Sequence, residues 1–108
     1  MDQFQQFKRF HRQYPQIWHH FFTLSNEARE ATGLGNWSAW AVVNIIRWRT
    51  DVTQDIAPVY YGDVKVKISN KYTAYYARLY NAVVDEPFFN TRALSEPEPT
   101  QQELLALV

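Results

Sequence analysis

Residues 64–80, VKVKISNKYTAYYARLY, change their hydrophobic period in mid-run. Val64, Val66 and Ile68 alternate with Lys65 and Lys67, the period-2 pattern of a strand with one face covered. From Asn70 onward Tyr72, Tyr75, Tyr76, Leu79 and Tyr80 recur at helical spacing. A strand must therefore feed directly into a helix, and no other feature of the chain constrains its fold as strongly. The same junction leaves the lysines on the open face of the strand, where they are the best-placed groups to meet something acidic.

Punctuation around this junction supplies the remaining elements. Gly62-Asp63 is a pair favoured in tight hairpins, so 59–61 and 64–68 read as two strands, followed by a helix over about 71–84 capped by Asn70 or Ser69. Phe4, Phe7, Phe10 or His11, and Tyr14 mark a short amphipathic helix over 3–13. Pro15, well placed in a first turn, opens a second helix that buries Ile17, Phe21, Leu24, Ala28 and Ala31 and ends at Gly33. A turn over 33–36 leads to a third helix, 39–49, capped by Ser38, with Trp37 and Val42 at staple spacing. Trp40, Val42, Val43, Ile45, Ile46 and Trp48 make this helix apolar almost all round, which predicts that it lies at the centre of the domain. Phe88 and Phe89, outside any periodic element, are expected to fold back onto the body.

The expected class is α+β and mostly helical, with about four helices plus a two-stranded hairpin in a winged-helix-like order. Residues 1–94 form the globular domain. Residues 95–108 form an acidic, proline-containing linker and a short amphipathic segment in which Thr100 and Glu103 match a capping box. With 46% hydrophobic residues, four Trp, seven Tyr and seven Phe, 108 residues suffice for one real core. The absence of cysteine excludes disulfides and thiolate metal sites and fits a reducing compartment. The chain has no signal-like apolar run and none of the roughly 20 residues a membrane helix needs, so a cytoplasmic protein with no membrane partner is expected.

A net charge of zero hides an asymmetry. Residues 1–92 carry all 11 Lys and Arg against eight acids, a net +3, while 93–108 carry three glutamates and no base. In a winged-helix reading the hairpin is the wing, and phosphate contacts fall to Lys65, Lys67 and Lys71, with Arg47 and Arg49 adding to that surface. Against base readout, the third helix offers only Ser38 and Asn44 among large apolar groups. The alternative is that these bases form an ordinary solvated face.

The tyrosines of 71–80 could stack on unpaired bases. They fit a core face better: Tyr72, Tyr76, Leu79 and Val83 share one side, leaving Tyr75 and Tyr80 as the more exposed pair. His11, His19 and His20 lack metal-site spacing and read as surface or capping residues. Asp85-Glu86 and the tail glutamates have no nucleophile or orienting partner, and Gly33-x-Gly35 is too short for a phosphate loop. An enzyme is the least supported class, with no catalytic residue, metal site or cofactor to name.

Taken in order, Phe10-His11, Tyr14-Pro15, Arg47-Trp48, Lys67-Ile68-Ser69-Asn70, Tyr72 through Leu79, and Phe88-Phe89-Asn90-Thr91-Arg92 resemble a group of small uncharacterised bacteriophage and prophage proteins. The resemblance spans about residues 7–92. Tyr14 and Ser69 each replace an asparagine of that pattern, and loop 50–63 is longer. The resemblance implies a phage origin and the cytoplasm of a bacterial host, and brings no activity. The leading expectation is a non-enzymatic phage accessory protein that binds nucleic acid through the basic hairpin surface. Its chief rival is a protein that binds and inhibits or redirects a host protein, such as a defence nuclease or polymerase, through exposed aromatics or through Leu104, Leu105 and Val108. A structural or assembly role is the third.

Overall fold

The computed structural model describes residues 2–33, 35 and 37–108. Leu34 and Asn36, half of the turn expected over 33–36, lie outside the described residues. The elements are α1 (Gln3–Gln13), α2 (Pro15–Thr32), α3 (Ala39–Asp51), β1 (Tyr60–Tyr61), β2 (Val64–Lys65), α4 (Asn70–Val84) and α5 (Gln101–Leu105), which makes an α+β, mostly helical chain with an antiparallel hairpin.

The boundaries follow local chemistry. Asp2 caps α1 by accepting from the Gln5 amide at 2.8 Å, Pro15 begins α2, and Gly33 closes it at φ 62. Ser69, not Asn70, caps α4, its hydroxyl facing the Tyr72 amide. Asp85, at φ 54, ends that helix in a left-handed conformation that non-glycine residues seldom adopt. Thr100 and Glu103 form a complete capping box. In the hairpin, Gly62 takes φ 60 while Asp63 stays on the negative side, the arrangement of a type II′ turn. Its strands are shorter than expected, two residues each, with one further link from the Val66 amide to the Val59 carbonyl at 2.8 Å. Beyond it the chain turns inward to bury Ile68.

The central helix is α4, which corrects the expectation for α3. α4 packs against all four other helices described, whereas α3 packs against two of them, α2 and α4. Tyr75 and Tyr80, expected as the exposed pair, are completely buried. Tyr75 stacks on Phe4 and Phe7 at 5.7 and 5.3 Å, and Tyr80 meets Phe22, Phe88 and Phe89 at 5.3–5.8 Å. Both flanks are covered because α1 lies on one and α2 with the 88–89 segment on the other. Tyr72 is the half-buried one, resting 4.5 Å from Phe10. Burial pushes the hydroxyl pKa values of Tyr75, Tyr76 and Tyr80 upward.

Phe88 and Phe89 fold back as expected, with Trp37 stacked on Phe88 and the Trp37 amide donating to the Phe88 carbonyl at 3.1 Å. The acidic tail is tied down. Arg78, 7% exposed, donates to both Glu98 oxygens at 2.6 and 2.8 Å and also to the Ala74 and Arg92 carbonyls. Glu96 accepts from the Gln3 amide at 2.8 Å. His11, expected at the surface or in a cap, is buried, and its Nε2 lies 3.0 Å from the Leu107 carbonyl. A carbonyl only accepts, so Nε2 carries the proton. No helix among the described residues is long and apolar enough to cross a membrane.

Candidate interaction surface

The strand–helix junction and the end of α3 meet on one side of the molecule. α3 runs to Asp51, where the Val52 and Thr53 amides both reach the Trp48 carbonyl, and the loop returns along the helix through Ile56 N–H to the Arg49 carbonyl at 3.3 Å. This return sets β1 and β2 beside the carboxyl end of α3.

The five bases expected at the surface then separate into two kinds. Lys65 forms an ion pair with Asp51, and Arg49 lies 3.8 Å from Asp55. Arg47 donates to the Ile68 carbonyl at 3.1 Å and sits 5.0 Å from the Trp40 ring centre, a cation–π arrangement. Lys67 and Lys71 are exposed and form no ion pair among the described residues. The structure thus brings Arg47, Lys65 and Lys67 around one cleft, with Lys71 in the first turn of α4 and Arg49 turned toward the loop.

That cleft, about 460 Å³, opens between α2, α3 and the hairpin. Ile17, Ile46, Val59, Val66 and Ile68 line it, and His20, Arg47, Asp51, Lys65 and Lys67 add polar groups. Partial burial, and secondarily the neighbouring His19, lower the His20 pKa. The His19 and His20 rings are 5.9 Å apart, and no group of three metal-ligating side chains exists among the described residues.

Beside the cleft lies a surface that the periodicity concealed. Trp40, Ile45, Trp48 and Val52 point outward from α3, opposite the buried Val42, Val43 and Ile46. Tyr60, Tyr61 and Val64 are likewise exposed at the hairpin. Trp48 is 59% exposed, Tyr61 65% and Val64 68%. Of the nine large hydrophobic residues exposed among those described, seven fall between positions 40 and 64. A signal for this was present. At 100° per residue, Asn44, Arg47 and Asp51 fall on the same side of α3 as Trp40 and Trp48, marking that side as the solvent face.

The other two are Leu105 and Val108. Leu104, expected with them as a partner contact, is buried where α5 packs on α4, so the body itself uses it. No family model matches the chain, and neither a curated protein nor a solved structure matches it.

Proposed function

We propose that the protein is a non-enzymatic binding module that docks on a partner protein through the outer face of α3 and the hairpin. One observation carries this reading: the exposed apolar side chains are concentrated at 40–64 and include two tryptophans and two tyrosines. Isolated exposed hydrophobics are ordinary, but several exposed aromatics, one of them under an arginine, have the composition of an interface centre. Trp, Tyr and Arg also dominate the positions where truncation weakens binding most. With the phage setting implied by the resemblance, the partner is a protein of the bacterial host.

Nucleic-acid binding is the second reading, favoured by the exposed, unpaired Lys67 and Lys71 near Arg47. It is weaker because Asp51 and Asp55 already face Lys65 and Arg49. The order of α2, α3 and the hairpin is compatible with a winged helix, but two-residue strands make a short wing, and the outward side of α3 shows indoles where base readout needs polar groups.

The test compares tagged wild type with a Trp48→Ala/Tyr61→Ala variant in host lysate, both folded by circular dichroism. A specific protein captured by the wild type and lost from the variant is expected. An unchanged captured set overturns the docking reading. Retention on single-stranded DNA that falls steeply with salt and disappears in Lys67→Glu/Lys71→Glu would favour the second reading.

A further inference from the structure

The cleft beneath the hairpin shares Arg47 with the aromatic face, but the rest of its lining is different. We infer that it is a binding site for a small aliphatic carboxylate, with the hydrocarbon body against Ile17, Ile46 and Ile68 and the carboxylate at Arg47 and Lys67. Its volume of about 460 Å³ lies within the range of roughly 300–1,000 Å³ typical of small-ligand sites. Like such sites, it combines a mostly apolar lining with a few convergent polar groups.

The lining selects the ligand class. Its apolar part is aliphatic, supplied by isoleucine, valine, proline and alanine, with no Phe, Tyr or Trp. A flat base or aromatic ring would find no Phe, Tyr or Trp to stack on, whereas an alkyl chain fits branched side chains. The charged groups select the sign. Three cations, Arg47, Lys65 and Lys67, face one acid, Asp51, which is already paired with Lys65. The uncompensated positive charge therefore lies at Arg47 and Lys67. Arg47 is held by one N–H bond to the Ile68 carbonyl and by its position over Trp40, which leaves further guanidinium N–H donors for an anion. Lys67 is exposed and has no ion pair among the described residues, so engaging it breaks none of the ion pairs described.

The walls come from α2, α3, the 56–58 loop and the hairpin, so an occupant would join elements otherwise linked there by few polar contacts. The inference does not rest on the docking reading, and the two fail separately.

The experiment is an amide-resolved NMR titration of the full chain with sodium octanoate below its micelle concentration. Saturable shifts are expected at Thr50, Val66, Lys67 and Ile68. The uncharged octanamide and the cationic octylammonium should bind at least tenfold more weakly. Lys67→Glu, an exposed position that leaves the core intact, should weaken octanoate at least tenfold, while Trp48→Ala leaves its affinity unchanged. N-acetyl-valyl-leucine carries the same chemistry on a peptide frame: tighter binding than octanoate identifies a peptide end as the source, and weaker binding a free acyl chain. Three results would overturn the inference: no saturable shift with either carboxylate, equal binding of octylammonium, or octanoate affinity unchanged in Lys67→Glu.

Discussion

α3 and α4 are both rich in aromatic and branched residues, yet they meet opposite fates. α4 hides every side chain from Tyr75 to Tyr80, while α3 leaves both of its tryptophans in water. Neighbours make the difference. Four helices surround α4, and the 88–89 segment covers its remaining flank, whereas α3 has two helical partners and, at its carboxyl end, the hairpin. An apolar helix sequence states a capacity for burial, and topology decides how much of it the protein uses itself. What α3 does not bury within the chain remains for a partner.

This contrast predicts a graded set of responses. The largest is expected at Leu79, fully buried in α4: Leu79→Ala should lower unfolding free energy by about 3 kcal/mol in urea titrations, the range for a large-to-small core change. The same measurement on Trp48→Ala should move stability by no more than about 0.5 kcal/mol, despite deleting the larger side chain. Equal losses at the two sites would break the comparison.

Next comes the tail. Glu98→Gln leaves the buried Arg78 without its charged partner and should reduce stability by about 1–3 kcal/mol. The effect depends on pH with a definite sign. The hydrogen bond from Arg78 lowers the Glu98 pKa below its ordinary 4.5, against an opposing effect of burial. A carboxylate with a depressed folded-state pKa stabilises above its unfolded value and loses that contribution as pH falls through the folded one. The wild type should therefore lose its advantage over Glu98→Gln below about pH 4.5, as urea midpoints at pH 7 and pH 3 would show. An advantage that is constant with pH would detach the tail from this ion pair.

The smallest core effect sharpens the picture inside α4. The Tyr76 hydroxyl is buried without a hydrogen-bond partner among the described residues, while the Tyr80 hydroxyl donates to Asn26 at 2.7 Å. Tyr76→Phe should be neutral or stabilise by up to about 1 kcal/mol, and Tyr80→Phe should destabilise by about the same amount. Thermal midpoints of the pair check the sign.

Much of this architecture was legible in the residues. Pro15, Gly33 and the Thr100–Glu103 box set ends that depend on local backbone chemistry, and the period switch at 64–80 placed the hairpin and α4. Burial was harder to read, because a helical period identifies which side chains share a face but not how many faces acquire neighbours. That is why Tyr75 and Tyr80 proved buried and Trp40 and Trp48 exposed. The site was half visible. Arg47, Lys65 and Lys67 do converge, but the pairing of Lys65 with Asp51 depends on how loop 52–58 folds back, and no local pattern encodes that. The burial of Leu104 and His11 likewise depends on long-range docking of the tail.

The central claim is that the rings of α3 face outward while those of α4 face inward. A soluble paramagnetic relaxation agent reports this directly through the four tryptophan indole N–H signals. The Trp48 signal should relax fastest, followed by Trp40, with the half-buried Trp18 and Trp37 slower and the amides of residues 75–80 protected, and a docked partner should slow the relaxation of Trp48. A Trp48 signal as protected in the free protein as that of Trp18 would contradict the account.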